Sequence, residues 1–501
     1  MPPGMPVKYA SGSKGVAADH PLAVLAGVEV LEKGGNAFDA AIAVSSVLSV
    51  VQPHMGGPGG DAFLLGFVGD EVVALASSGF APRGFDAEKF LAERPRRGPL
   101  TVTVPGLVKL WARIYEEFGT MPLDALLKRA IDLAYSGFNA GWMLARASAE
   151  SERELSTYPR WRRLFAGIAP GQRVVNRDAA RALRVLATRG LDEFYYGELA
   201  EELVSELEAQ GVGIDLDDLM EHECARVEPL KLEVDGRAIY ELPPNTQGIT
   251  TLNLVSALHE LGLGALPFDD PRRIEAWYEP TATVYAFRDA HVADPSHMTL
   301  DVRGYIRYSS LKQAPGLAEP RGGEGDTTFF VVSDGTSTIG FIQSLYHPFG
   351  SGIVALGFPF QNRALGFASA RGLPNSPAPR KRPLHTLSVM AVEDGGNKYV
   401  IGCVGADLRP QLHLRTYENL FVYGMHVAQS VKAPRFYFER TEKGWTAVVE
   451  KPLSLPRGGP FGVRDADFQG SHGHVHVGLV DRRGALHLAT DPRTEGLAMA
   501  I

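Results

Sequence analysis

The first part of the chain has the hydrophobic spacing of helices. Small apolar residues recur every three or four positions between 20 and 51, among them Ala23, Ala26, Val30, Ala40, Ala41 and Val44. The run Gly-Gly-Asn at 34–36 interrupts this pattern, as the end of a helix and a turn would. The spacing predicts a helical hairpin over 20–51. A long helical region from 106 to about 136 and a charged, helical region over 140–225 follow.

Short apolar runs bounded by Gly, Asp and Asn predict strands. The earliest are 62–67 and 72–76, after a glycine-rich stretch, and alternation over 231–241 predicts another. From about position 327 the pattern is mostly strands, predicted at 327–332, 337–342, 386–392, 399–404, 475–480 and 486–488. The chain is therefore mixed in its first half and rich in strands in its second.

Positions 314–326 are the most linker-like segment. They hold four glycines, two prolines and four charged groups, and an exposed loop of this kind is where a backbone is open to cleavage. The segment runs directly into a predicted strand that begins with Thr327 and Thr328. Taken alone, two threonines at a strand start are explained by β-propensity and a local hydroxyl–backbone bond.

Composition narrows the class of protein. The 501 residues are 45% hydrophobic and 22% charged, which is typical of a globular chain with a large core. The net charge of -8 argues against broad binding to nucleic acid. Two cysteines, Cys224 and Cys403, form no disulfide framework and fit a reducing compartment. No secretory signal or membrane-spanning run is recognised, so we expect a cytoplasmic protein.

Several separated segments together resemble the γ-glutamyltransferase family of N-terminal nucleophile hydrolases. They occur in the family's order: HPLAVLAGVEVLEKGGNAFDAAIA, VQPHMGGPGGDAFLL, VPGLVKLWARIYEEFGTMPLDALLKRAIDLAYSGF, GDTTFFVVSDG, FGSGIV, KRPLHTLS, KAPRF and DPRTEG. Each motif alone is weak, but eight in register are specific. The resemblance covers nearly the whole chain and implies an α+β fold, the Ntn-hydrolase four-layer αββα sandwich.

The resemblance also implies a precursor that cuts itself between Asp326 and Thr327. A large fragment, 1–326, and a small one, 327–501, of roughly 35 and 19 kDa by length, would remain one globular unit. The freed Thr327 would carry a hydroxyl nucleophile and an α-amine base on one residue. The acyl group of the substrate would transfer to Thr327 and then to water or to an acceptor amine. No cofactor and no metal are expected, and the sequence has neither an HExxH nor a CxxC motif.

Further catalytic groups are implied by the same resemblance. The backbone N–H groups of Gly405 and Ala406 stand where the family has a Gly–Gly pair that forms an oxyanion hole. Alanine suits that position if its φ is negative and not easily otherwise. Ser344 stands where a second hydroxyl orients the nucleophile. An ordinary strand hydroxyl is the alternative for Ser344, and a plain turn at the end of a strand is the alternative for Gly405.

The residues that bind γ-glutamyl substrates in the family are replaced here. Ser78 occupies the position of the arginine that binds the substrate α-carboxylate in the family. Gly366 occupies the position of the acidic residue that binds the substrate α-amine. Phe329 replaces a histidine after the two threonines, and His385-Thr386 replaces a pair of serines. Specificity for γ-glutamyl groups is therefore in question.

Polar groups gained in the same segments are the candidates for substrate binding: Arg363, His385, Thr386, Tyr346 and Arg409. Arg363 is the first choice because it lies within the former binding strand, although a surface or ion-paired arginine is the alternative. We expect a γ-glutamyltransferase-like hydrolase or acyltransferase that acts on a γ-glutamyl or similar small acidic amide. An oxamate-type amidohydrolase, a glutaryl or cephalosporin acylase and a non-catalytic metabolite-binding homologue are the alternatives. The acyl donor, the acceptor and the oligomeric state stay open.

Overall fold

The computed structural model describes residues 7–313, 325–441, 443–468 and 473–501. Most of the linker-like segment, 314–324, lies outside the described residues. The helices are α1 Pro21–Glu32, α2 Ala37–Val51, α3 Ala87–Glu93, α4 Leu107–Phe118, α5 Leu123–Ser136, α6 Trp142–Leu155, α7 Pro159–Phe165, α8 Arg177–Arg189, α9 Glu198–Glu208, α10 Leu216–Met220, α11 Gly248–Glu260, α12 Pro271–Ala276, α13 Tyr278–His291, α14 Arg409–Phe421 and α15 Val427–Lys432.

The strands in the first part of the chain are β1 Lys8–Gly12, β2 Gly15–Ala18, β3 Asp61–Val68, β4 Glu71–Ser77, β5 Phe138–Asn139, β6 Arg173–Val174, β7 Ala225–Arg226, β8 Leu230–Val234 and β9 Arg237–Glu241. The later strands are β10 Asp326–Ser333, β11 Ser337–Tyr346, β12 Val354–Ala355, β13 Phe358–Pro359, β14 Met390–Asp394, β15 Asn397–Cys403, β16 Phe436–Thr441, β17 Gly444–Glu450, β18 Gly462–Ala466, β19 Val475–Val480, β20 Leu486–Thr490 and β21 Leu497–Ala500.

Two seven-stranded sheets face each other. Their strand orders are β21-β2-β10-β11-β3-β4-β7 and β1-β20-β19-β15-β14-β9-β8. Side chains alternate along β10, so that Phe329 and Val331 lie between the sheets while Phe330 and Val332 pack toward the helices. Helices α1, α2, α4 and α5 cover the outer face of the first sheet, and α11, α14 and α15 cover the second. The predicted four-layer αββα sandwich is confirmed.

Both sheets combine strands from the two sides of residue 326. In the first sheet β10 and β11 lie between β2 and β3, and in the second β14 and β15 lie between β9 and β19. Separating the segments 1–326 and 327–501 would break backbone ladders in both sheets and expose the shared core. The arrangement supports the expectation that the two fragments stay together after a cut.

The predicted helical hairpin is present as α1 and α2, with its turn at 33–36. His20 caps α1, where its Nδ1 accepts a hydrogen bond from the Leu22 amide at 3.2 Å. Asn36 caps α2 and forms a capping box with Asp39. The capping residues His20 and Asn36 therefore begin the two helices where the hydrophobic spacing predicts them.

Three predicted elements differ from the structure. The alternation over 231–241 is a hairpin, β8 and β9, because the Asp235-Gly236 turn divides it, with φ of 49° and 74°. The helical region over 106–136 is two helices, since Gly119 ends α4 and Pro122 precedes α5. The strand predicted at 386–392 begins only at Met390, because residues before it direct their backbone groups to side chains rather than to a neighbouring strand.

The ring of Phe329 fills the space between the sheets at the start of β10. It lies against two glycines, and a Cβ added at Gly402 would come within 2.5 Å of the ring, while one at Gly340 would come within 2.9 Å. Phe329 is fully buried. The two glycines are therefore needed for close approach of the sheets.

Replacing Gly402 by alanine should overpack this contact. We expect the G402A variant to lose about 1–3 kcal/mol of stability, measured as a lower denaturant midpoint or Tm. Gly213→Ala is the matched control, because a Cβ there meets no atom within 4 Å. Equal stability of the two variants would contradict the packing described here.

Candidate functional site

Thr327 lies at an irregularity in the first sheet. In the pairing of β10 with β11, Asp326 is opposite Tyr346 and Thr328 is opposite Gln343, so the register shifts at Thr327. Such a bulge re-aims a side chain away from the regular alternation. The Thr327 side chain is buried, with 2% of its surface exposed. The strand start thus presents a single hydroxyl in an enclosed position.

The guanidinium group of Arg409 contacts this hydroxyl. Its Nη2 donates to Thr327 Oγ1 at 3.3 Å, its Nε donates to the Cys403 carbonyl at 2.9 Å, and its Nη1 donates to the Thr386 carbonyl. Burial lowers the pKa of Arg409, although nearby acceptors oppose this. The structure therefore places Arg409, predicted as a substrate-binding residue, against the candidate nucleophile.

Arg363 is a second buried cation near the same strand. Its Nη2 donates to Ser344 Oγ at 3.3 Å, its Nη1 donates to Thr386 Oγ1 at 3.4 Å, and its guanidinium carbon lies 4.5 Å from the centre of the Tyr346 ring. Within the described part of the chain its Nε has no hydrogen-bond partner. Burial lowers the pKa of Arg363 to about 10, so Arg363 is a cation at neutral pH whose Nε–H is unused among the described residues.

Ser344, Tyr346 and Thr386 are brought together around Arg363. Ser344 Oγ also accepts from the Tyr346 amide at 2.8 Å. Tyr346 has a φ of 80°, in the left-handed region, which turns its ring over the guanidinium group. Four of the five predicted substrate-binding residues, Arg363, Thr386, Tyr346 and Arg409, therefore lie in one connected group.

His385 is held by the protein through both ring nitrogens. Its Nδ1 accepts from the Leu387 amide at 3.2 Å, so Nε2 carries the proton and donates to Asp61 Oδ2 at 3.1 Å. Burial lowers the pKa of His385 well below its usual value. The ring is neutral and already bonded. Asp61 was not singled out in the sequence, because an acid beside a glycine-rich turn carries no local signal of a partner far along the chain.

The Gly405–Ala406 segment begins a 3-10 turn, Ala406–Leu408, with φ of 159° and 44°. The first N–H groups of a helical turn have no acceptor within that turn. Ala406 thus occupies the left-handed region, where alanine costs about 1–2 kcal/mol relative to glycine. Its carbonyl accepts from Gln247 Nε2 at 2.8 Å, and Arg288 donates to both Gln247 Oε1 and Asp407 Oδ1 at 2.8 Å. This buried network holds the strained segment in place.

A cavity of about 810 Å³ opens over this segment. Gly325 and Gly405 line it, and a Cβ added at Gly325 would lie 2.8 Å from that of Ala406. The uncut chain therefore passes directly over the candidate oxyanion hole. Charged and aromatic side chains form the walls, among them Arg96, Arg97, Trp142, Arg146, Arg440 and Trp445.

The three residues that replace the family's binding residues, Ser78, Gly366 and Phe329, make structural contacts in this protein. Ser78 Oγ donates to Asn245 Oδ1 at 3.0 Å. A Cβ at Gly366 would lie 2.4 Å from the Leu384 carbonyl oxygen, so no acidic side chain fits there. Phe329 belongs to the core between the sheets. None of these three positions supplies the polar groups that a γ-glutamyl α-carboxylate or α-amine needs.

The described residues were also compared with the requirements of a metal site and of a membrane-spanning helix. No group of three or more His, Cys, Asp or Glu side chains is arranged there to hold a metal ion. None of the helices described has the length and apolar character needed to cross a bilayer.

Known proteins share both the sequence and the architecture. The family model Gamma-glutamyltranspeptidase matches residues 23–501. The oxamate amidohydrolase proenzyme of Klebsiella pneumoniae is 33% identical, over 96% of this chain and 97% of that protein. The glutathione hydrolase-like YwrD proenzyme of Bacillus subtilis is 32% identical, over 97% and 98%.

The crystal structure of cephalosporin acylase from Bacillus halodurans has a TM-score of 0.88 at 27% identity. It covers 100% of this chain and 98% of that chain. The family match spans almost the entire sequence, and the two proenzymes are similar over nearly their full lengths. The chain therefore belongs to the gamma-glutamyltranspeptidase family of enzymes.

Proposed function

We propose that this enzyme cuts itself before Thr327 and then hydrolyses a small amide that carries a carboxylate. The observation that carries the proposal is the contact of the buried Arg409 with Thr327 Oγ1, at a strand start next to the Gly405–Ala406 turn. The relatives support it, because the two proteins compared above are proenzymes and one of them is an oxamate amidohydrolase.

In the self-cleavage step, Thr327 Oγ attacks the carbonyl carbon of Asp326. The peptide C–N bond breaks, and the nitrogen takes up a proton to become the α-amine of Thr327. Water then hydrolyses the resulting ester, which restores the hydroxyl and leaves a carboxylate at Asp326. This sequence needs no reagent besides water. The large and small fragments are the only lasting partners that it requires.

In turnover, the neutral α-amine takes the hydroxyl proton as Thr327 Oγ attacks the substrate amide carbon. The N–H groups of Gly405 and Ala406 stabilise the oxyanion that forms. The leaving nitrogen takes the proton, and the acyl group remains as an ester on Thr327. Water attacks this ester with the same amine as base and releases the acid. Ser344, on the neighbouring strand, helps to orient the hydroxyl.

Arg409 and Arg363 have different tasks in this proposal. All three nitrogens of the Arg409 guanidinium group donate hydrogen bonds to the protein. Arg409 therefore acts on Thr327 rather than on a substrate carboxylate. Its fixed positive charge disfavours protonation of the adjacent α-amine. Arg363 keeps a buried donor without a partner in the described residues and is suited to receive an anion. His385 and Thr386 position these groups.

Two other substrate classes remain alternatives. One similar protein is described as glutathione hydrolase-like, and the similar solved structure is a cephalosporin acylase. The positions of Ser78 and Gly366 favour the small acid over a γ-glutamyl group. Ammonia release from oxamate, compared with release of p-nitroaniline from γ-glutamyl and glutaryl conjugates, distinguishes the three. A non-catalytic homologue would show no release from any of them and no cut chain.

A cytoplasmic location is also proposed. Cys224 and Cys403 are both free thiols, and burial raises the pKa of Cys224 to about 12, which keeps it protonated. Unpaired cysteines suit a reducing compartment.

The Thr327→Ala variant should remain a single chain of 54.1 kDa and have no amidase activity. Intact-mass measurement should show fragments of roughly 35 and 19 kDa for the unaltered protein. Thr328→Ala is the matched control, because this neighbouring hydroxyl is also buried and its Oγ1 has no hydrogen-bond partner in the described part of the chain. Two fragments from the Thr327 variant would end the assignment of the nucleophile.

Arg409→Met should shift the acid limb of the kcat/KM profile to higher pH by about one unit. Removing the positive charge makes the α-amine easier to protonate, and the protonated amine is no longer a base. Arg409→Lys keeps the charge and should keep the limb near its original pH. An acid limb that stays in place in the processed Arg409→Met enzyme would contradict this role.

Arg363→Met should lower kcat/KM for oxamate by about 10–100-fold, because a charge-assisted hydrogen bond contributes about 1.5–3 kcal/mol. Oxamide, the neutral diamide of the same size, should be affected by no more than a few fold. Equal losses for both substrates would show that Arg363 supports the fold or the nucleophile and not the substrate carboxylate.

A further inference from the structure

The loop that precedes α11 brings a glutamine side chain to the centre of the site. Gln247 is the last residue before this helix and is fully buried. Its backbone amide donates to the His385 carbonyl at 3.1 Å, and the His385 amide donates to the Asn245 carbonyl at 2.8 Å. A Cβ added at Gly248 would lie 2.2 Å from the Leu242 carbonyl oxygen, so the loop has little room to move. Gln247 therefore projects from a rigid position at the start of a buried helix.

The side-chain amide of Gln247 joins two carbonyl groups of the site. Its Nε2 donates to the Thr386 carbonyl at 2.9 Å and to the Ala406 carbonyl at 2.8 Å. Arg288 Nη1 donates to its Oε1 at 2.8 Å. A guanidinium group has donors only, so it must face the amide oxygen, and this assigns the nitrogen to the two carbonyls. The donors and the acceptor of the amide are thus all used within the site.

The two carbonyls belong to the two halves of the proposed machinery. The Thr386 carbonyl also accepts from Nη1 of Arg409, whose Nη2 donates to Thr327 Oγ1 at 3.3 Å. Ala406 is the strained residue of the candidate oxyanion hole, with a φ of 44°. Gln247 therefore contacts both the support of the nucleophile and the support of the oxyanion hole.

The separation of these two halves depends on contacts between the sheets. Thr327 lies in the first sheet, whereas Ala406 follows β15 of the second. An attacking hydroxyl and oxyanion donors work together only at the right distance, and an error of about 1 Å costs about 100-fold in rate. A strained alanine keeps its conformation only while its surroundings impose it. A rigid group that is bonded to both halves meets both requirements.

We propose that Gln247 is a positioning residue that sets the distance between the Thr327 hydroxyl and the N–H groups of Gly405 and Ala406. The inference rests on the proposed function and adds a residue to it. Gln247 touches neither the substrate nor the reacting atoms, and no bond is made or broken on it. It acts through the carbonyls of Thr386 and Ala406.

Gln247→Met should lower kcat by about 10–100-fold and change KM by less than about threefold, because the misplaced groups stabilise the transition state and not the bound substrate. Gln247→Glu has the same shape and still accepts from Arg288, but the ionised side chain has no donor for the two carbonyls. It should lose as much. Both variants are measured with the most active of the three substrates compared above, and kcat is calculated per cut chain from intact mass.

Gln210→Met is the matched control for the loss of these hydrogen bonds. Gln210 Nε2 also donates to two carbonyls, those of Glu206 at 2.8 Å and Val354 at 2.9 Å. It lies outside the lining of the cavity. This variant loses the same kind of bonds away from the site and should keep kcat within about twofold of the unaltered enzyme.

A double variant separates positioning of the segment from general support of the fold. Glycine adopts a φ of 44° without strain. We therefore expect Gln247→Met to lower kcat by about threefold or less in the Ala406→Gly background, against about 10–100-fold in the unaltered enzyme. Equal losses in the two backgrounds would show that Gln247 does not act through the conformation of Ala406.

Amide hydrogen exchange of the processed enzyme tests the inference without a substrate. Peptides covering 404–408 should exchange at least about fivefold faster in Gln247→Met, since the segment opens more often when its carbonyl is released. They should exchange at the original rate in Gln210→Met. Faster exchange in the variant, together with no turnover by the unaltered enzyme, would overturn the proposed function and leave the support of the segment by Gln247 standing.

Three results would overturn the role of Gln247. They are a kcat within about threefold of that of the unaltered enzyme, a loss of kcat/KM that lies entirely in KM, or unchanged exchange at 404–408. If Gln247→Met does not fold, the same three measurements on Gln247→Glu decide.

Discussion

The packing of Phe329 against the backbones of Gly340 and Gly402 holds the start of β10 between the two sheets. Phe329 is two residues from Thr327, so its fixed ring also fixes where the hydroxyl lies. β2 pairs with β10 at residues 331–333, whereas β11 accompanies it back to residue 326. Beyond the reach of β2, the strand start is held by β11, the core between the sheets and Arg409. The peptide bond that we propose is cut, between Asp326 and Thr327, thus lies at the end of a rigid strand.

Buried charge is the second constraint, and the two arginines meet it in different ways. Arg409 directs all of its nitrogens to Thr327 and two carbonyl groups. Arg363 makes two long hydrogen bonds to hydroxyls and lies over the ring of Tyr346. A buried cation with incomplete hydrogen bonding gains more from an arriving anion than one that is already satisfied. This difference is the basis for the separate roles proposed for Arg409 and Arg363.

The left-handed conformation of Ala406 is stabilised by hydrogen bonds from residues distant in sequence rather than by the identity of the residue itself. Gln247 fixes its carbonyl, and Arg288 joins Gln247 to Asp407. Strain of this size persists only where the surroundings impose it. The condition under which alanine suits this position easily, a negative φ, is therefore not met, and the surrounding contacts impose the strained conformation. A network of long-range contacts therefore determines the backbone conformation of this segment.

The sequence alone determined the elements whose causes are local. The α1–α2 hairpin follows from apolar spacing and its caps, and β10 and β11 follow from short apolar runs with a turn between them. Ordered motifs also identified the family. What only the tertiary structure decided are the partners across the chain: Asp61 with His385, 324 residues apart, and Arg409 with Thr327, 82 apart. Periodicity and capping act over a few residues, whereas these contacts exist only once two sheets have packed and excluded water from the charges between them.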